Sequence, residues 1–347
     1  MTRLYLDHNA TVPLRPEARE AMVEAMDLAG NPSSVHAEGR AAKALVERAR
    51  AQVAAALGAD GAEVIFTSGA TEAAALACAG RGLKGAAIEH DAVRAWITGD
   101  LPVDAAGKVS VTDPARSVLQ LANSETGVVQ DLPEGLAVSD MTQAFGKLPV
   151  AFNWTGVDMA LVSAHKLGGP KGVGALVVRR GLDVTAQLRG GGQEMGRRAG
   201  TENVIGIAGF GAAAEVAADD VARGVWGRVE KLRNILESTI AEISKETIFV
   251  GQGEARLPNT TCLVTPGWKG ETQVMALDLA GVAISAGSAC SSGKVRASGV
   301  LQAMGFDADT AGSAIRVSLG TAATEGDIMR FAETWARLWN RHRARLA

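Results

Sequence analysis

The chain has 347 residues, 35 basic against 38 acidic, and 47 % of it is hydrophobic. That is apolar enough for a sizeable core and too weakly charged for a disordered chain. The near-neutral balance gives no electrostatic footing for nucleic acid or an acidic membrane surface. Three scattered cysteines, Cys78, Cys262 and Cys290, argue against a disulfide framework and for a reducing compartment. The segment 1–13 holds no apolar signal core, and the longest uncharged apolar stretch, 204–214, falls well short of the ~20 residues that span a bilayer. A cytoplasmic protein of about two domains, engaging neither nucleic acid nor membrane, is expected.

In chain order, residues 16–28 open with Pro16 and carry apolar residues at helical spacing. Residues 39–57 set Leu45, Ala49, Val53 and Leu57 on one stripe, and Gly58 ends the helix. Short apolar runs follow at 63–67, 86–89, 118–122, 136–139, 159–163 and 174–178. Runs of that length suit a mainly parallel sheet covered on both faces. From 204 to 244 the pattern is helical and long. Strands at 247–250 and 260–264, then helices at 271–280 and 325–343, predict a second α+β layer. The boundary falls near residue 225, inside the helical stretch, with no linker or repeat to mark it.

Six constellations carry chemistry. Phe66–Glu72 (FTSGATE) runs from a strand through small residues into a helix start, where free N–H groups and the dipole favour an anion; an ordinary N-cap reads the same way. Ser163–Pro170 (SAHKLGGP) ends a buried strand in His165 and Lys166. A desolvated lysine there suits covalent catalysis on a carbonyl, and a solvated surface lysine is the plain alternative. Asp140 stands at a strand end, where α/β sheets place ligands, or else caps a helix. His90 ends another strand. Cys290 sits in a Gly/Ser/Ala loop (SAGSACSSG), unlike Cys78 and Cys262 in apolar segments, and reads as a nucleophile. Arg316 interrupts an apolar strand and calls for an anionic partner, either a substrate carboxylate or a structural acid. Gly80–Gly85 matches G-x-G-x-x-G but precedes a strand, and no zinc or Walker pattern exists, so no metal site is expected.

Taken with YLDHNAT at 5–11, GNPSS at 30–34, NSETGVVQ, DMTQAFGKLP, GGGQEMGRRAGT and IRVSLG, these motifs run nearly end to end. In that order they resemble the cysteine desulfurases of the NifS/IscS type, class-V aminotransferase-like enzymes dependent on pyridoxal 5'-phosphate (PLP). The resemblance implies an aspartate aminotransferase-like α/β fold. A large domain, 12–225, would hold a mainly parallel seven-stranded sheet. Residues 1–11 and 226–347 would form a smaller α+β domain carrying the cysteine loop. It implies that Lys166 holds PLP covalently and moves the substrate's α-proton, that Asp140 pairs with the ring nitrogen, and that Gln143 bonds the phenolic oxygen. His90 would stack on the ring and share in proton transfer. Ala70, Thr71, Ser163 and His165 would hold the phosphate, with Thr201 completing that site from the neighbouring subunit of a homodimer. Arg316 would bind the carboxylate of L-cysteine, beside Ser124. Cys290 would take the sulfur as a persulfide, leaving alanine, and pass it to an acceptor protein such as an iron–sulfur scaffold or sulfur carrier.

The chain departs from the family's pattern in three places. Ser124 replaces an Asn next to cofactor and substrate, Met141 replaces the Ala after Asp140 and is expected to crowd the ring, and segments near 95–117 and 131–137 are trimmed, the second by most of a crossover helix. Ser124 makes an alternative conceivable: a related PLP lyase or aminotransferase of other substrate choice, such as a selenocysteine lyase. Cys290 argues against it. A weakly active dimer serving a sulfur-transfer complex is the other alternative, opposed by the joint presence of Lys166, Asp140, His90 and Cys290.

Overall fold

A computed structural model describes residues 3–287 and 297–345. Cys290 lies outside the described residues. Strand β1 (Leu4–Tyr5) leads into helices α1 (Pro16–Met26) and α2 (Ala37–Ala56). Pro16 begins α1, where its missing N–H costs nothing, and the His36 ring accepts from Gly39 N–H to cap α2. The buried stripe of α2 is Ala42, Val46, Ala49 and Val53. Leu45 stands at its edge, one position off the expected line.

Next come β2 (Glu63–Thr67), α3 (Ala70–Cys78), β3 (Lys84–Ala86), α4 (Asp91–Arg94), β4 (Thr98–Leu101), β5 (Val118–Gln120), β6 (Val138–Asp140), β7 (Met159–Ser163), β8 (Gly174–Val178) and α5 (Val204–Ala222). Five strands form the central sheet in the order β2-β8-β7-β6-β5, with β5, β6 and β7 parallel and β8 antiparallel to both neighbours. The parallel β3–β4 ladder continues it through a bridge between Lys84 and Ser117, making seven strands. Alternate residues serve opposite faces, as a pleated strand requires. Val64, Phe66, Ala160, Val162, Ala175 and Val177 pack with residues of α2 and α5, including Val53 and Phe210. Ile65, Leu161 and Leu176 pack on the other side with Cys78 and Leu83. The expected strand at 86–89 is shorter and earlier, because Glu89 N–H turns back onto the Ala86 carbonyl. Segment 131–137 contains no helix, and β5 and β6 are joined by turns and irregular chain that fold back through the Ala122–Val129 bridge.

The long helical stretch divides at Gly224, whose φ of 70° lies in the left-handed region that glycine enters without penalty. Beyond it come α6 (Val225–Ile243), β9 (Ile248–Phe249), β10 (Thr260–Val264), α7 (Gly270–Leu279), β11 (Val282–Ala283), β12 (Ser285–Ala286), α8 (Gly299–Ala303), α9 (Ala308–Ala311), β13 (Ala314–Ser318) and α10 (Glu325–Arg343). A reciprocal Thr324–Asp327 capping box starts α10. The antiparallel sheet β12-β13-β10-β9 lies over a second core of Val229, Leu236, Trp268, Phe331 and Trp335. Leu4 and Leu6 join that core because β1 pairs in parallel with β11. No described helix is long and apolar enough to cross a membrane.

Candidate active site

Because β2, β5, β6 and β7 point the same way, their carboxyl ends meet at one edge of the sheet, the edge where open α/β sheets bind ligands. A cavity of about 670 Å³ opens there. Ten of the residues singled out in the sequence line it: Ala70, Thr71, His90, Ser124, Asp140, Gln143, Ser163, His165, Lys166 and Arg316. Thr201 does not. It lines a separate small cavity beside Phe66, Thr67 and Ser68.

Each polar group has a fixed posture. Lys166 Nζ donates to the carbonyls of Asn9 (2.7 Å) and Ala10 (3.0 Å). Asp140 Oδ1 accepts from Thr142 N–H (2.9 Å), which sets the carboxylate at the end of β6. His90 caps α4 by accepting from Ala92 N–H at Nδ1 (3.1 Å), so a neutral ring carries its proton on Nε2. His165 meets Thr11 Oγ1 at 3.2 Å. Burial, then the nearby Lys166, Lys171 and Lys147, push His165 down to about 4, and the ring is neutral at pH 7. Arg316 pairs with Asp7 (2.8 Å) and donates to the Ser124 carbonyl (3.1 Å), while its Nε is buried without a partner among the described residues.

Two buried carboxyls stand behind these groups. Glu125 is pushed up to about 7 by burial, against Ser298 and Arg316, which favour its charge. Burial, reinforced by the Asp140 carboxylate, pushes Glu89 up to about 8, although Gln120 N–H donates to its Oε1 at 3.0 Å. The folded protein therefore keeps a proton on Glu89 that the unfolded chain releases above about 4.5. Stability should fall as pH rises through that window and level off above about 8, by a few kcal/mol. Urea midpoints at about pH 5 and about pH 8.5 are expected to differ more for the unmodified protein than for Glu89→Gln. Equal differences would show that this carboxyl does not titrate there.

Met141, expected to crowd the cavity, is fully buried in the main core and does not line it. Residue 141 comes directly after the last residue of β6, where successive side chains of extended chain point to opposite faces. Asn9, by contrast, is a hub that the sequence reading quoted without a role. Its amide donates to the Ser124 carbonyl (3.1 Å) and Thr260 Oγ1 (2.8 Å), and its backbone N–H to Ser318 Oγ (2.9 Å). Its carbonyl accepts from both Lys166 and Gln143.

The cradle fits PLP on these observations. The Asp140 carboxylate ends β6 and the Lys166 amine lies in the turn after the adjacent β7, and the start of α3 with Ser163 and neutral His165 offers anion donors.

The class-V aminotransferase family model matches residues 4–93 and 102–331. The chain is similar to a cysteine desulfurase of Cereibacter sphaeroides, with 39 % identity over 96 % of this chain and 95 % of that one. Among solved structures it is similar to a NifS-like protein from Rickettsia africae, with 32 % identity, a TM-score of 0.88, and 97 % and 99 % of the two chains covered. A third similarity is to a structure described as SspA in complex with cysteine, with 28 % identity, a TM-score of 0.75, and 93 % and 100 % covered.

Proposed function

The chain belongs to the class-V aminotransferase family and, within it, to the PLP-dependent cysteine desulfurases, and we propose that the cavity at the carboxyl ends of β5–β7 is where it takes sulfur from L-cysteine. The observation that carries this reading is the convergence of the Lys166 amine, the Asp140 carboxylate, the His90 ring and the Arg316 guanidinium in one cavity. PLP, when bound, supplies an electron sink at the substrate's α-carbon. Lys166 would anchor it, Asp140 would meet its ring nitrogen, Gln143 its phenolic oxygen, and Ala70, Thr71, Ser163 and His165 its phosphate.

The protein's own residues do the rest. Lys166, whose amine the Asn9 and Ala10 carbonyls hold at the cavity, moves the α-proton. His90, which lines the cavity, shares in proton transfer. Arg316 binds the substrate carboxylate, and Asp7 keeps the guanidinium from being a buried lone charge. Ser124 stands beside it in the position where an Asn is usual. Cys290 attacks the substrate sulfur; the C–S bond breaks, an S–S bond forms, and L-cysteine plus the enzyme thiol become L-alanine plus an enzyme persulfide.

The same proposal includes a homodimer, in which Thr201 completes the neighbour's phosphate site, and an acceptor protein for the sulfur, either an iron–sulfur scaffold or a sulfur carrier. It includes the division into domains of 12–225 and of 1–11 with 226–347, supported by the second core's use of Leu4, Leu6 and residues from Val229 onward. Buried, unbridged Cys78 and Cys262 support a reducing, cytoplasmic setting.

Mass spectrometry after incubation with L-cysteine tests the reading. One extra sulfur is expected on the peptide that carries Cys290. Cys290→Ala should keep the visible band of the bound cofactor and lose the persulfide. Unchanged turnover in that variant would remove Cys290 from the chemistry.

A further inference from the structure

Lys147 is 3 % exposed, yet among the described residues no carboxylate pairs with it. Its amine donates to Gln143 Oε1 at 2.7 Å, to the Gln143 carbonyl at 3.1 Å and to Asn9 Oδ1 at 3.4 Å. Burial, and then the nearby cations Lys166 and Arg316, hold its amine well below the usual lysine range, and the other titratable groups beside it are the His8 and His165 rings. Such a group does not stabilise a fold. What it does is geometric. An amide has one acceptor end and one donor end. With Oε1 taken by Lys147, Gln143 turns its NH₂ end to the Asn9 carbonyl (2.9 Å) and to the cavity that Gln143 lines. Asn9 accepts from Lys166 at the same oxygen.

We propose that Lys147 is a positioning residue: by occupying the Gln143 carbonyl it makes the cavity present an N–H donor there, so that the site favours a negatively charged ring oxygen. This rests on the PLP reading. A donor at the phenolic oxygen stabilises charge on that oxygen and lowers the pH at which the visible band of the bound cofactor titrates. Without Lys147 the amide is free to turn its carbonyl inward, and the midpoint rises.

The experiment is a double-mutant cycle on the PLP-loaded protein, read by the pH midpoint of the visible band. Lys147→Met, close to lysine in shape, should raise the midpoint by about one pH unit, the worth of one net hydrogen bond. Gln143→Leu should raise it similarly, and Lys147→Met added to Gln143→Leu should raise it no further. Lys147→Arg, which keeps donors toward Gln143, should restore the original midpoint. An unchanged midpoint in Lys147→Met overturns the proposal. So does an equal further rise in the Gln143→Leu background, which would mark an effect of charge alone. Should Lys147→Met fail to fold by its melting curve, Lys147→Leu, which likewise has no donor for Gln143, takes its place, with the same outcomes expected and the same ones fatal. An unmodified chain that develops no visible band with PLP would instead sink the cofactor reading and this inference with it.

Discussion

Lys166→Ala is expected to lower alanine formation from L-cysteine by at least about 10³-fold, because it removes both the covalent anchor and the group that moves the α-proton. The fold should survive. Lys166 is only partly buried, and the Asn9 carbonyl that it leaves keeps its bond from Gln143. Separating the two effects needs two measurements: a melting curve close to that of the unmodified protein, and turnover. Turnover within tenfold of the original would take Lys166 out of the reaction, and a collapsed melting curve would make it a structural residue.

The second large effect concerns stability. Arg256 and Glu237 form a bidentate pair at 2.7 and 2.9 Å, with side chains 4 % and 6 % exposed. Glu237→Ala strands the guanidinium in the interior and is expected to cost about 3–5 kcal/mol. Arg233 aggravates it, since its guanidinium also lies close and is held down by burial and by Arg256. The urea midpoint should fall sharply with an unchanged slope. Glu237→Leu combined with Arg256→Met should recover much of the loss, since no charge is then left unpaired. The damage reaches the cavity as well. Residues 255–257 run beside 127–129, with Val129 N–H on the Ala255 carbonyl and Leu257 N–H on the Gly127 carbonyl, both at 2.8 Å. That ladder carries the turn holding Ser124 and Glu125. Apparent affinity for cysteine is therefore expected to weaken in Glu237→Ala and to return in the double variant.

Much of this architecture was legible in the sequence because its strands are short, mostly apolar and bounded by turn residues. The runs at 63–67, 159–163, 174–178 and 260–264 coincide with β2, β7, β8 and β10. Strand ends also carry the motifs, Asp140 after the run at 136–139 and Lys166 after that at 159–163, but it was the family resemblance that put the two at one cofactor. β4 escaped because Thr98, Gly99 and Asp100 have no apolar rhythm; its pairing is decided by the neighbouring β3. Gly224 was visible as a letter, but nothing local distinguishes a glycine inside a helix from one that ends it. The hydrogen-bond hub escaped for a different reason. Asn9 meets Gln143, Thr260 and Ser318, and such contacts depend on which distant segments the fold brings together. Lys147 did carry a local signal, four residues after Gln143, the spacing at which side chains meet on a helical turn. Its burial was not readable, since lysines are seldom interior.

The route of the first strand has a consequence for biosynthesis. Residues 4–9 are made long before several of the groups that hold them: Leu4 pairs with Val282, Asp7 with Arg316, and Asn9 with Ser318. Contacts of such sequence separation form slowly, because the intervening chain must first be closed into a loop. A nascent chain that has already completed its first core still lacks the partners of residues 4–7. The two carbonyls that hold the cofactor lysine's amine therefore gain their late partners only when translation has passed β13, and until then that posture rests on Gln143, Lys147 and the chain beside His165 alone.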